Sequence, residues 1–141
     1  MDLTTKLTPH FKAGEFATRN NDGSRELPPE KFIPRLYKLA EVAEKVRAHF
    51  GNAPVRIVSG YRGPEHNVRV RGAKASQHLQ CRAMDIRVQG VSPDDVADVL
   101  EGWMDSDAVT QGGLGRYDTF THYDFRGTRA RWDERSKHAV A

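Results

Sequence analysis

The chain has 141 residues, of which 38% are hydrophobic and 29% charged, and its 22 basic and 19 acidic side chains give a net charge of +3. This length and composition predict one soluble domain over residues 1–141, with a core at about residues 10–132 and a frayed, polar tail beyond it. They exclude a membrane-inserted protein, because no apolar run is long enough to cross a bilayer. The single cysteine, Cys81, excludes an internal disulfide and a multi-thiolate zinc site.

The first third of the chain predicts an irregular segment followed by a helix. Residues 1–28 are polar, with a turn-rich stretch at 20–24, and Phe11 and Phe16 are expected to anchor this segment to the core. A helix is predicted from the prolines at 28–29 to the stop signal at Gly51. Its apolar face repeats at steps of three and four residues: Leu36, Leu39, Ala40, Ala43, Val46 and Phe50.

The middle of the chain predicts two strands separated by a loop. Residues 55–59 form the first strand, residues 64–68 a single helical turn, and residues 82–88 the second strand. Alternation in the second strand puts Met84, Ile86 and Val88 on one face. Asp85 is therefore predicted on the opposite face, where a functional site can lie.

The last third predicts a helix and a pair of strands. Ser92 and Pro93, followed by two acidic residues, are typical of a helix start. Two short strands, at about 112–117 and 120–126, are joined by a turn, and His122 and Asp124 share a face of the second strand. The element order predicts an α+β fold with a small, largely antiparallel sheet flanked by helices.

Two imidazoles and one carboxylate form the most distinctive chemical set in the chain. His78, Asp85 and His122 match the ligands of a catalytic zinc site, which leaves one coordination position for water. The same set occurs in the facial triad of non-haem iron oxygenases. Those triads commonly have one residue between the first histidine and the acid, whereas His78 and Asp85 are seven positions apart. The spacing therefore favours zinc.

Four blocks of the chain carry a resemblance to a known family. They are Ser59-Gly60-Tyr61-Arg62, Ser76-Gln77-His78 with Ala83-Met84-Asp85, Gly113-Leu114-Gly115-Arg116-Tyr117, and Phe120-Thr121-His122-Tyr123-Asp124-Phe125-Arg126. In this order, over about residues 10–132, they resemble the M15 zinc peptidases, and most of all the D-alanyl-D-alanine carboxypeptidase-like branch of bacteria and phages. The resemblance implies the fold shared with the hedgehog signalling domain, zinc ligation by His78, Asp85 and His122, and a substrate-binding, transition-state-stabilising role for Arg62.

The chain departs from the family at the general base. Several members have a glutamate three positions before the last zinc histidine, where this chain has Thr119. Asp124, on the same strand face as His122, is our predicted base or imidazole-orienting residue, and Asp118 is the alternative. Ser76 and Gln77 are predicted either to bind substrate or to support their loop. Cys81 replaces the small residue, most often glycine, of the family, and we expect it to be packed rather than to bind metal.

The predicted function is zinc-dependent hydrolysis of a peptide bond in peptidoglycan stem peptides or cross-links, often next to a D-amino acid. The alternative keeps the fold and the zinc without catalysis, as a wall-binding or virion structural module. The N-terminus lacks a secretory signal pattern, so we expect synthesis in the cytoplasm and action at the cell wall, as a phage lysin or virion component. We expect a monomer that does not bind nucleic acid, since only Trp132 interrupts the basic run from Arg126 to Arg135.

Overall fold

A computed structural model describes residues 1–136, and the end of the predicted frayed tail, residues 137–141, lies outside the described residues. The described residues contain three α-helices, two short 3-10 helices and nine strands. Five of the strands form one mixed sheet, and the other four form two small antiparallel pairs. The predicted α+β class is confirmed.

The five-stranded sheet has the order β5-β6-β8-β7-β9. Every neighbouring pair is antiparallel except β7 and β9, which are parallel. The strands are β5 (Val55–Ser59), β6 (Ala83–Val88), β7 (Gly113–Arg116), β8 (Thr121–Asp124) and β9 (Ala130–Asp133).

Strand β9 was not predicted, because its sequence is rich in arginine and lacks an apolar alternation. It pairs with β7 along its whole length, with Trp132 opposite Gly115. Two interactions connect the predicted tail to the rest of the domain. The backbone N–H of Glu134 donates to the carbonyl of Arg116, and Arg135 forms an ion pair with Asp94. Residues 133–136, which belong to the predicted tail, thus contact the rest of the domain.

Helices cover the sheet as the apolar patterns predict. Helix α1 (Ile33–His49) and helix α3 (Pro93–Asp105) both contact β6. The hydroxyl of Ser92 accepts a hydrogen bond from the backbone N–H of Asp95 at 3.1 Å, which confirms the predicted cap of α3. The predicted helical turn is the short helix α2 (Pro64–Arg69). No helix within residues 1–136 combines the length and apolar character needed to span a membrane.

The N-terminal segment is more regular than predicted. It forms two hairpins, β1 (Lys6–Thr8) with β2 (Phe11–Lys12) and β3 (Thr18–Arg19) with β4 (Arg25–Glu26). Phe11 and Phe16 are buried in the core, as expected of anchors.

Glycine at position 60 lets the N-terminal segment approach the end of β5. The backbone N–H of Tyr61 donates to the carbonyl of Phe16 at 2.7 Å, and a Cβ at Gly60 would lie 2.6 Å from that carbonyl oxygen. This close contact fixes the chain that leaves β5 toward Arg62.

Candidate metal centre

Strand register brings two of the three predicted ligands together. Asp85 on β6 lies opposite His122 on β8 in the antiparallel pair. His78 reaches them from the loop between α2 and β6. The candidate ligand atoms of His78, Asp85 and His122 all lie within 4.8 Å of one another, and all three residues are buried.

The carboxylate of Asp85 is the centre of the cluster. Its Oδ1 lies 2.9 Å from Nδ1 of His122 and 3.4 Å from Nε2 of His78. Burial raises the pKa of Asp85, but the hydrogen bonds and charges of the two imidazoles outweigh it and hold the pKa well below its usual range. The group is therefore an anion at neutral pH.

Each imidazole uses its other nitrogen to bind the protein. Nδ1 of His78 lies 2.7 Å from the carbonyl oxygen of Gly60 and must donate to it, since a carbonyl only accepts. Nε2 of His122 lies 2.7 Å from Oδ2 of Asp124. With protons at these positions, the remaining nitrogens, Nε2 of His78 and Nδ1 of His122, both present lone pairs toward Oδ1 of Asp85.

This arrangement fits a divalent cation. Two imidazole lone pairs and a carboxylate oxygen repel one another unless a proton or a metal ion lies between them. Burial lowers the pKa of His78, which favours the neutral imidazole that a metal needs. For His122 burial acts in the same direction, but the hydrogen bonds and charges of Asp124 and Asp85 outweigh it and raise the pKa. Without metal, the proton that lies between these groups is therefore held by His122 rather than by His78.

Arg62 borders the cluster on the side of β5. Its side chain is only 17% exposed, and its Nη2 lies 3.7 Å from Oδ2 of Asp85. Its Nε donates to the hydroxyl of Ser59 at 3.3 Å, and its backbone N–H donates to the carbonyl of His78 at 3.1 Å. These contacts place a fixed guanidinium next to the candidate metal ligands.

Asp124 is fully buried on the far side of His122. Besides its contact with Nε2 of His122, it accepts hydrogen bonds from the backbone N–H of Gly113 at 2.9 Å and from Nε and Nη2 of Arg126 at 2.8 and 2.7 Å. A Cβ at Gly113 would lie 2.2 Å from Oδ2 of Asp124, so only glycine fits there. Both carboxylate oxygens are thus occupied by the protein.

The other predicted site residues, Asp118, Ser76 and Gln77, are not part of the ligand cluster. Asp118 is exposed in the turn between β7 and β8, and its Oδ1 accepts a hydrogen bond from the backbone N–H of Ser136 at 2.9 Å. The hydroxyl of Ser76 accepts a hydrogen bond from the backbone N–H of His78 at 3.2 Å, which supports the ligand loop. Gln77 has a buried Oε1 with no hydrogen-bond partner within residues 1–136. Ser76 and Gln77 both line the cavity that contains the ligands.

Cys81 is buried next to the ligand loop but outside the ligand cluster. Its backbone φ is 56°, a left-handed conformation that glycine adopts more easily than other residues. Burial raises the pKa of its thiol to about 12. The expected packing role is consistent with this position.

An aromatic wall that the sequence analysis missed closes one side of the site. The Trp132 ring lies 4.9 Å from the His122 ring, and its Nε1–H donates to the hydroxyl of Tyr117 at 2.8 Å. Tyr117 stacks on Phe120 with ring centroids 4.3 Å apart. The sequence signal that could have revealed this wall was Gly115, because a glycine inside a strand often marks a place where another group comes close to the backbone. A Cβ at Gly115 would lie 2.4 Å from Nε1 of Trp132.

The ligands open into a cavity of about 660 Å³, here called the metal cavity. Its lining includes Arg62, the aromatic wall, Arg126 and Glu134. Asp118 and Asp124 are not among the lining residues, whereas the exposed carboxylate of Glu134 is. This geometry allows a peptide to approach the three ligands from solvent.

Comparison with known proteins agrees with this geometry. A family model described as Peptidase M15 matches residues 9–124, which include His78, Asp85, His122 and Arg62. A search of curated proteins found no match. Because the family match covers most of the chain and includes the buried His-Asp-His cluster, the chain belongs to the peptidase M15 family of metallopeptidases.

Proposed function

We propose that the protein is a zinc-dependent peptidase that hydrolyses a peptide bond in peptidoglycan stem peptides or cross-links, next to a D-amino acid. The observation that carries the proposal is the convergence of Nε2 of His78, Oδ1 of Asp85 and Nδ1 of His122 at one buried point beside an open cavity. Two imidazoles and one carboxylate are a ligand set of hydrolytic zinc enzymes. The family match supports peptidase activity at this site.

Zinc bound by these three residues would supply Lewis acidity and lower the pKa of a bound water toward neutrality. Arg62 binds the substrate in this proposal. Its guanidinium is fixed by Ser59 and Asp85, so it can donate to the carbonyl oxygen of the scissile bond without first losing rotational freedom. As negative charge develops on that oxygen, the contact with Arg62 strengthens.

In this proposal Asp124 is a positioning residue. It accepts the Nε2 proton of His122 and thereby keeps Nδ1 free to bind metal. Arg126 and Gly113 hold the carboxylate in place and occupy its remaining acceptor positions. The role as base predicted from strand parity would require one of these contacts to break.

Glu134 takes the proton-transfer role in our proposal. Within residues 1–136 it is the carboxylate that lines the metal cavity in addition to the ligand Asp85. Its exposed side chain can accept a proton from the attacking water and deliver it to the leaving amine. Asp118, whose carboxylate binds the backbone of Ser136, remains the alternative.

The lining of the metal cavity suits an anionic peptide. Arg71 lies on its exposed rim and can meet one of the free carboxylates that peptidoglycan stem peptides carry, whereas Arg126 is already paired with Asp124. We therefore propose that the protein acts at the cell wall. We also propose that it acts as a monomer.

The proposal is tested by digesting purified peptidoglycan and identifying the products by mass spectrometry. We expect new peptide fragments with the zinc-loaded protein, none after treatment with a chelator, and recovery when zinc is returned. A zinc-loaded, folded protein that releases no fragment would contradict the proposal and favour a wall-binding or structural role.

Asp124→Asn should weaken zinc binding about 10–100-fold, the cost typical of losing a carboxylate that orients a metal-bound imidazole. The substitution keeps the size of the side chain but removes the charge that fixes the His122 proton. Zinc affinity is measured by competition with a chromogenic chelator, and turnover is measured at saturating zinc. If zinc affinity is unchanged while turnover at saturating zinc collapses, Asp124 is the base and not a positioning residue.

Glu134→Gln should lower turnover by roughly 10²–10⁴-fold with unchanged zinc content, because it removes a general base from the metal cavity. Asp118→Asn and Asp133→Asn serve as matched controls and should retain turnover. The comparison uses the same peptidoglycan for all three variants. A loss confined to Asp118→Asn would transfer the role to Asp118.

A further inference from the structure

A second cavity adjoins the metal cavity at Asp85. This side cavity, of about 320 Å³, lies between the end of β5 and the N-terminal segment. The two cavities share four lining residues: Arg62, Val70, Asp85 and Phe120. Both are open to solvent, and each falls within the range of about 300–1,000 Å³ typical of ligand sites. The metal ligand Asp85 and Arg62 therefore lie at the junction of the two cavities.

The side cavity is suited to an uncharged stretch of peptide. Its lining includes Ala17, Val58, Tyr61 and Phe120. Small side chains such as the methyl groups of alanine residues can pack on such a surface. Burial lowers the pKa of His66, which also lines this cavity, so its imidazole is neutral at pH 7.

The two arginines of the junction and the side cavity, Arg19 and Arg62, both have other partners than a terminal carboxylate. Arg19 donates from Nη1 to the carbonyl of Val58 at 2.8 Å and from Nη2 to the carbonyl of Ile57 at 3.1 Å. In the proposed function, Arg62 donates to the carbonyl oxygen of the scissile bond, so it does not serve a carboxylate one residue beyond that bond. An enzyme that removes a terminal residue needs a closed end with a cation available for the terminal carboxylate. Within residues 1–136, the lining of the side cavity offers neither a closed end nor such a cation.

The metal cavity does not supply such an end either. Its guanidinium Arg126 is bound by both oxygens of Asp124. Arg71 lies on the exposed rim, where it can meet a carboxylate of a passing peptide without closing the cleft.

We infer that the enzyme is an endopeptidase whose substrate extends from the junction into both cavities. This inference rests on the proposed function. The bond cut is internal to a stem peptide or cross-link: its C–N bond breaks, water adds OH to the carbonyl carbon, and the amine nitrogen takes the remaining proton. A free carboxylate one residue beyond the bond is not required.

The test compares two synthetic cross-linked stem peptides that differ only at their C-termini, one free and one amidated. The full-length, zinc-loaded protein should cut both at an internal bond at similar rates, with fragments identified by mass spectrometry. An enzyme that depends on the terminal carboxylate would lose roughly 10⁴-fold or more on the amidated peptide, as sites built around a polar group do. Release of a single terminal residue from the free form alone would overturn the inference while supporting the proposed peptidase. Cleavage of neither peptide would overturn the peptidase proposal itself.

A matched pair of variants tests the use of the side cavity. Val58→Trp fills the cavity, whereas Val68→Trp adds the same ring at a position that is 76% exposed and lines neither cavity. We expect Val58→Trp to lower kcat/KM for the amidated peptide by roughly tenfold or more, with zinc content unchanged, and Val68→Trp to match the parent. Parental kcat/KM in a folded Val58→Trp protein would overturn the inference. If that variant does not fold, the comparison of the free and amidated peptides still tests the inference.

Discussion

His78→Ala and His122→Ala should each abolish stable zinc binding and, with it, hydrolysis of peptidoglycan. Each substitution removes one of three protein ligands from a buried point where the ligand atoms lie within 4.8 Å of one another. Loss of an orienting partner alone typically costs 10–100-fold in metal affinity, so loss of a ligand should cost more than about 100-fold. Metal content after dialysis and chelator competition measure the effect.

The matched control is His10→Ala, which removes an imidazole that is paired with Glu44 and belongs neither to the cluster nor to the lining of the metal cavity. It should retain zinc and activity at the parental level. Full zinc occupancy in both His78→Ala and His122→Ala would show that the metal, if bound, lies elsewhere. Thermal unfolding of the metal-free proteins separates loss of ligation from loss of fold.

Arg62→Ala should retain the fold and most of the zinc but lose catalysis by roughly a hundredfold or more, equivalent to about 2–4 kcal/mol of transition-state stabilisation. The guanidinium borders the cleft next to Asp85, yet the 3.7 Å separation between Nη2 and Oδ2 makes its support of that ligand weak. We therefore expect the loss mainly in kcat. Steady-state kinetics on a defined stem peptide measure it.

Arg69→Ala provides the comparison, since Arg69 is exposed at the end of α2 and lines neither cavity. It should match the parent. Arg62→Lys should recover little, because an ammonium cannot make the paired contacts of a guanidinium. Near-parental kcat in Arg62→Ala would contradict a role for Arg62 in stabilising the transition state.

Local sequence patterns predicted several elements of the fold, among them the strand that carries the ligand Asp85. Ser92 with the acids after Pro93 predicted the start of α3, and alternation in residues 82–88 predicted a strand with Asp85 opposite the apolar set. Asp85 and His122 then meet because β6 and β8 are antiparallel neighbours. Strand pairing depends on the whole sheet, so only the family resemblance, not the spacing, predicted this meeting.

The surroundings of the ligands could not be predicted in the same way. Strand parity placed Asp124 on the face of His122, but parity does not show that Gly113 and Arg126 occupy its oxygens. Strand β9 has no apolar alternation, and its order comes from pairing with β7. Trp132 lies on this strand and Glu134 follows it directly, so both were missed together.

The most direct test is anomalous diffraction at the zinc edge from crystals of the zinc-loaded protein. We expect a single strong peak bound by Nε2 of His78, Oδ1 of Asp85 and Nδ1 of His122, with Nε2 of His122 still donating to Asp124. Ligation through Nε2 of His122 would contradict the positioning role of Asp124. A peak away from all three residues would contradict the metal centre itself.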